Sequence, residues 1–274
     1  DRDSLSQSLH ANAAEWYRVR KGNPSESIEY IHHLHMSGDT EGLAEALSEE
    51  GHSLVKAGHI ELLGILRVLE ASLFGPRTRF VIHELTGDIL SIQGRWDEAE
   101  EQYDHALPIA VKHKLTTPLA RIYSSRADLA VKKGEMDNAL SLHKKALEMQ
   151  IKLRDAQGAA RSYNNMGYIF RRQRDNKRAI EVYGNVEELL ESEDSPDLTE
   201  ARIRLASAFL EMGEMDRARD HAMKAHDETA ENNQEKLHAR SRAVLGRYYA
   251  RIKDNDLAMH HYTGALEILS DQSD

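Results

Sequence analysis

The sequence predicts an all-α protein, an α-α superhelix of about seven antiparallel helical hairpins. Two observations indicate this class. Small residues recur in register at intervals of about 40 residues, with a short polar break inside each interval, and such a period is typical of stacked helical hairpins. The 274 residues also include only 5 prolines, a scarcity that long helices require because proline interrupts their hydrogen bonds.

The repeat is anchored by five alanines at spacings of 40, 40, 39 and 40 residues: Ala99, Ala139, Ala179, Ala218 and Ala258. Twelve residues before each of them lies another small residue: Gly87, Ala127, Gly167, Ala206 and Gly246. Four residues after each of them, the position is aromatic in four of the five repeats: Tyr103, His143, Tyr183, Ala222 and Tyr262. Five copies in register indicate a true repeat rather than a coincidence.

This pattern has a direct physical meaning, because two antiparallel helices approach closely only where their side chains are small. We expect the first small residue and the anchoring alanine to form the contact inside each hairpin, and the aromatic residue to pack on the next hairpin. Three breaks contain a glycine that permits a positive φ at the helix end: Gly94, Gly134 and Gly213. Three aspartates are predicted to cap the following helices: Asp97, Asp137 and Asp216.

The first quarter of the chain has a looser pattern. Residues 1–75 predict two degenerate hairpins that form a linker-like or arm-like region, with helices over 9–20, 27–36, a stretch ending at Lys56, and 60–73. Residues 76–274 predict the five regular hairpins. We expect the two regions to form one continuous superhelical domain.

Residues 87–107 and 162–170 resemble the tetratricopeptide repeat. The usual repeat has about 34 residues, whereas the helices here are predicted to be about a turn longer, as in Rap-type regulators, Pins-type scaffolds and MalT-type sensors. The resemblance covers roughly residues 78–270. It implies a solenoid of tetratricopeptide type whose role is to bind a ligand or a protein rather than to catalyse a reaction.

Residues 14–63 are similar to a more particular segment. Their order of motifs resembles the connection between the winged helix and the superhelical sensor of STAND-type signalling ATPases, of which the MalT-type transcription activators are an example. The resemblance implies an ATPase upstream that the repeats restrain. This chain contains no phosphate-binding loop and begins at Asp1 without an initiator methionine, so we expect it to be a fragment of a longer protein.

The candidate site follows from the tetratricopeptide resemblance, which implies that the first helix of each hairpin lines an inner groove. The polar residues predicted to face that groove are Arg121, Arg161, Asn164, Asn165, Tyr168, Arg171, Arg172, Arg204, Arg240 and Arg247. Arginine binds carboxylate and phosphate groups in bidentate fashion, and the resemblance implies that asparagine holds a ligand's backbone amides or carboxylate. This predicts an acidic peptide or a small anionic ligand. The alternative is that the arginines neutralise glutamates of the second helices or face water.

Composition excludes several classes of function. The chain has no cysteine, which excludes disulfides and cysteine-ligated metal sites and fits a cytoplasmic protein. It has no apolar run long enough for a membrane span, and its net charge of −10 argues against general nucleic-acid binding. Binding of nucleic acid by the arginine-rich groove remains a third, weaker alternative.

No catalytic residue, cofactor or metal site is predicted. The densest histidine cluster is His32, His33 and His35, but only His32 and His35 share a helix face, and a metal site needs three or four ligands. His83-Glu84 lacks the second histidine that a zinc protease helix requires.

Two functions remain. The first is the sensor domain of a STAND-type signalling or transcription regulator, and the second is a stand-alone scaffold of the Rap or Pins type that mediates protein–protein interaction. The last predicted helix carries no polar capping helix after it, and repeat arrays need capped ends for solubility. We therefore also expect self-association through the C-terminal hairpin.

Overall fold

The computed structural model describes residues 2–19, 23–70, 74–190, 195–231 and 234–270, and these contain helices and no strands. The first quarter forms α1 (Arg2–Arg18), α2 (Pro24–Ser37), α3 (Thr40–Ala46), a π-helical turn (Leu47–Gly51), α4 (His52–Lys56) and α5 (Leu62–Glu70). The stretch predicted as one helix ending at Lys56 is therefore divided into three parts. Residues 20 and 71–73, at the ends of two predicted helices, lie outside the described residues.

The regular repeats form helices of 15 to 18 residues. They are α6 (Pro76–Ile92), α7 (Trp96–Lys112), α8 (Thr116–Lys133), α9 (Met136–Leu153), α10 (Ala156–Arg172), α11 (Asn176–Leu190), α12 (Pro196–Met212), α13 (Met215–Glu231), α14 (Glu235–Arg251) and α15 (Asn255–Ser270). The predicted fold class, a helical-hairpin array of tetratricopeptide type, is confirmed. Among the described helices, none combines the length and apolarity that crossing a membrane requires.

The chain divides into two compact units, Asp1–Glu135 and Met136–Asp274. Unit 1 has a core that extends from Ala14 to Leu129 along the sequence. Unit 2 has its own core, which includes Met166, Phe209 and Leu245. The boundary predicted at residue 75 and the single continuous domain stay predictions.

Packing inside the hairpins corrects one expectation. A Cβ on Gly87 would lie 2.5 Å from Cε1 of Tyr103, and one on Gly246 would lie 2.7 Å from Cδ1 of Tyr262. The aromatic ring therefore fills the space beside the glycine of its own hairpin, whereas the sequence predicts that it packs on the next one. Glycine is needed at these positions because a methyl group would overlap the ring.

The helix ends follow the sequence in part. Gly94, Gly134 and Gly213 adopt the predicted positive φ of 77°, 83° and 81°. The aspartates do not cap as predicted: α7 begins at Trp96 with Arg95 as its N-cap residue. Asp97 therefore lies in the first turn, as do Asp137 of α9 and Asp216 of α13. There a carboxylate still favours the positive end of the helix dipole.

Candidate functional site

The first helices of the three hairpins in unit 2 form the surface that carries most of the predicted site. Helix α12 packs against both α10 and α14. We call the polar surface of these three helices the A-helix face of unit 2. It is made of Arg161, Asn164, Asn165, Tyr168, Arg171 and Arg172 on α10, Asp197, Glu200, Arg204 and Glu211 on α12, and Arg240 and Arg247 on α14.

Glu200 is the centre of one ionic cluster on this face. Both of its oxygens accept hydrogen bonds from Arg240, in the next hairpin, and Oε1 also accepts one from Arg204, one turn along α12. Burial opposes ionisation, but the two guanidinium groups outweigh it and hold the pKa of Glu200 below its usual value. The carboxylate is therefore charged at neutral pH and ties α12 to α14.

Glu211, near the end of α12, is the centre of a second ionic cluster. It accepts a hydrogen bond from Arg171 of α10, and Nη2 of Arg247 on α14 lies 3.8 Å from its Oε1. Near the start of α12, Nη1 of Arg161 lies 3.6 Å from Oδ2 of Asp197. The Arg247–Glu211 and Arg161–Asp197 pairs are long and half-exposed, so Arg247 and Arg161 are held loosely.

Asn164 is almost fully buried and makes two hydrogen bonds to α12. Its side-chain Nδ2 donates to the backbone carbonyl oxygen of Asp197 at 2.8 Å. Its backbone carbonyl oxygen accepts from Nη1 of Arg204 at 3.1 Å. Its Oδ1 has no hydrogen-bond partner among the described residues, and neither has Nε of Arg171. Buried polar atoms without a partner are uncommon, so this part of the face has unused hydrogen-bonding capacity.

One side of α10 is open to solvent beside Asn164. Arg161, Tyr168 and Arg172 are exposed, and their spacing places them along one side of the helix together with Asn164. The guanidinium of Arg204 lies 5.7 Å from the centre of the Tyr168 ring. Within the described part of the chain, no carboxylate pairs with Arg172. Asn165 is partly buried on the same helix.

Arg121 lies in unit 1, on α8, and is bound by Glu84 of α6. Its Nε and Nη2 donate to the two oxygens of Glu84 at 3.0 and 2.9 Å. Oε2 of Glu84 also lies 3.0 Å from Nε2 of His52, the first residue of α4. The preceding Gly51 lies directly against Leu85, where a Cβ would come within 2.5 Å of Cδ1. Burial opposes ionisation of Glu84, yet these partners keep its pKa below the usual value.

Unit 1 also carries carboxylates on its first helices. Oδ1 of Asp88 accepts a hydrogen bond from the Tyr103 hydroxyl at 2.7 Å. Burial and the neighbouring charge of Glu84 raise the pKa of Asp88 to about 6. Lys132 donates to the hydroxyl of Ser91 at 2.8 Å.

The sequence predicts the arginines of this face but not which carboxylates bind them. The carboxylates that bind them lie on first helices, not on the second helices that the alternative interpretation assumed. A usable signal existed, because Arg171 and Glu211 are 40 residues apart, as are Glu200 and Arg240. An arginine and a glutamate separated by one repeat length occupy equivalent positions on adjacent first helices.

Two comparisons of sequence bear on the family. Residues 118–192 match the family model described as Tetratricopeptide repeat. No curated protein matches the sequence. The repeat assignment therefore depends on this match together with the structure.

Solved structures with the same fold are numerous. BtubC (BKLC) from P. vanneervenii is similar with a TM-score of 0.64 and 21% identity, covering 81% of this chain and 92% of that one. A STAND protein with a tetratricopeptide repeat sensor from Pyrococcus horikoshii has a TM-score of 0.75 and 15% identity, and the match covers 96% of this chain but only 40% of that one. A Rap protein complexed with Competence and Sporulation Factor has a TM-score of 0.63 and 14% identity, covering 99% and 95%. At these identities the likeness shows the fold alone.

Proposed function

We propose that this array of tetratricopeptide repeats is a non-catalytic binding module, and that the A-helix face of unit 2 accepts an acidic peptide segment or a small anionic ligand. The observation that carries the proposal is the open side of α10. There Arg161, Tyr168 and Arg172 are exposed beside Asn164, whose buried Oδ1 lacks a partner. The open side combines two cationic groups and an aromatic ring.

These groups suit an extended peptide. Arg161 and Arg172 would bind its carboxylates as bidentate partners, and the exposed ring of Tyr168 would pack against its side chains. Among the described residues, the one carboxylate near Arg161 is that of Asp197, at 3.6 Å, so Arg161 can change partner at little cost. The tight pairs around Glu200 would keep α12 and α14 in place and would not have to open.

The larger role that we propose is that of a sensor domain in a STAND-type signalling or transcription regulator, within the cytoplasm. The order of motifs in residues 14–63 supports it, and so does the likeness to a STAND protein with a tetratricopeptide repeat sensor. The alternative is a stand-alone scaffold of the Rap or Pins type, which the likeness to a Rap protein supports. A phosphate-binding loop and a winged helix encoded upstream in the same gene would favour the first role.

Binding can be tested with fluorescein-labelled acidic and basic peptide libraries, read by fluorescence anisotropy. We expect acidic peptides to bind and Arg161→Ala or Arg172→Glu to abolish binding, with an unchanged circular dichroism spectrum. Arg219→Glu is the matched control, because Arg219 is exposed on the second helix α13 and pairs with the adjacent Asp220. If both groove variants bound as well as the unmodified protein, the assignment of the site would be wrong. Native mass spectrometry of the freshly purified protein would reveal a small ligand that it retains.

A further inference from the structure

A second cluster of polar groups lies in unit 1. His83 of α6, His105 of α7 and Glu70 at the end of α5 each offer one donor atom, and these three atoms lie within 4.8 Å of one another. His83 is buried, while Glu70 and His105 are exposed. Three separate helices therefore bring two imidazoles and a carboxylate together, although the residues are far apart in sequence.

We propose that Glu70, His83 and His105 form a binding site for one divalent transition-metal ion of the zinc type. A tetrahedral ion with bonds of about 2.0–2.2 Å holds its donor atoms roughly 3.4 Å apart. Oε1 of Glu70 and Nδ1 of His83 are 3.7 Å apart, close to that separation. The donor atom of the exposed His105 lies within 4.8 Å of the other two, so its side chain would move closer to complete the site.

The surroundings leave room for a fourth ligand. Leu69, Ile82 and Pro108 are among the residues that line an adjoining cavity of about 450 Å³, whose wall also contains all three proposed ligands. Water from this cavity can complete the coordination. Asp104 on the wall adds negative charge, although its Oδ1 lies 2.6 Å from Nη1 of Arg126. Arg79 on the same wall adds a positive charge, which disfavours a cation. We therefore expect moderate rather than very tight binding.

Gln102 contacts two of the proposed ligands. Its Oε1 lies 2.8 Å from Nδ1 of His83, and its Nε2 lies 3.4 Å from Oε1 of Glu70. A metal-bound Nδ1 carries no proton to donate, so the oxygen of Gln102 has to turn away from His83 when the ion binds. The donor set also sets the class of ion, because imidazole and carboxylate together favour zinc-like ions over Mg²⁺ and Ca²⁺, which prefer oxygen alone.

The test is titration of the chelator-treated full chain with Zn²⁺ by calorimetry and with Co²⁺ by visible absorption. We expect one Zn²⁺ per chain, no competition by Mg²⁺, and the absorption of tetrahedral Co²⁺. His105→Ala and Glu70→Gln each change an exposed residue and are expected to weaken binding at least about tenfold. His113→Ala, at the exposed end of α7, is the matched control and should bind normally.

Three results would overturn the site. One is the lack of saturable Zn²⁺ binding, and another is unchanged affinity in both His105→Ala and Glu70→Gln. The third is binding that survives both changes but disappears in His33→Ala. His33 lies 2.7 Å from His10, Nδ1 to Nδ1, so that result would place the ion in the N-terminal histidine cluster instead.

Discussion

The ring of Tyr183 occupies the space that a side chain on Gly167 would need. An ideal Cβ on Gly167 would lie 2.5 Å from Cζ of Tyr183, well inside van der Waals contact. The tyrosine is fully buried in the second helix of the same hairpin. The close approach of α10 and α11, and with it the position of the exposed side of α10, therefore depends on the missing side chain at residue 167.

Gly167→Ala is expected to destabilise unit 2 by about 1–3 kcal/mol through overpacking, even though alanine is the better helix former. Gly184→Ala is the matched control in α11, because no atom lies within 4 Å of its Cβ position. It should stabilise the protein by up to about 1 kcal/mol. Thermal unfolding followed by circular dichroism measures both. Equal effects of the two substitutions would contradict this account.

Glu200→Gln is expected to destabilise unit 2 by about 1–3 kcal/mol, because it leaves Arg204 and Arg240 close together without their shared carboxylate. Arg240 is half-exposed, which limits the cost. Glu214→Gln is the control, since Glu214 pairs with Arg217 at the surface, with their side chains 37% and 59% exposed, and such pairs contribute little. Chemical unfolding of the three proteins in parallel gives the comparison; a harmless Glu200→Gln would show that the cluster is not structural.

Three histidines near Arg242 contribute to the acid sensitivity of unit 2, in addition to His143, whose pKa burial lowers to about 4. The rings of His226 and His238 stack at 4.7 Å, and those of His226 and His261 lie 5.8 Å apart. Burial, Arg242 and the neighbouring histidines His226 and His260 lower the pKa of His261 to about 4, and burial lowers the pKa of His226 and His238 as well. Each histidine is therefore protonated more easily in the unfolded chain.

The sign of the pH dependence follows from these shifts. In the unfolded chain, histidine has a pKa of about 6.5. The stability that the neutral histidines contribute is therefore fully present above that pH and is lost as the pH falls towards about 4. We expect unit 2 to lose about 1–2 kcal/mol over this range, after allowing for partial exposure. His261→Gln should reduce that loss, whereas the exposed His113→Gln should not. The measurement is the melting temperature of the unmodified protein and of both variants at pH 7.5 and 5.0. An equal fall in melting temperature for all three proteins would refute the prediction.

Self-association remains a prediction for the last helix. Met259 and Leu266 of α15 are 66% and 67% exposed, and they lie seven residues apart on one side of the helix together with the half-exposed Leu269. We expect the protein to form dimers through this side at high concentration. Leu266→Glu should abolish them, as measured by multi-angle light scattering. A monomeric unmodified protein at high concentration would count against the prediction.

The sequence by itself determined the helical repeat, because five small residues in register need no knowledge of long-range contacts to be read. The arginines of the A-helix face were predicted from the tetratricopeptide resemblance, which implies that the first helix of each hairpin lines one surface. Tertiary structure decided which charges meet: Glu200 and Glu211 bind arginines of adjacent hairpins, so part of the predicted anion site is already neutralised. It also decided that Glu70, His83 and His105 converge, because the three residues lie on different helices without a common spacing, and only the packing of those helices brings them together.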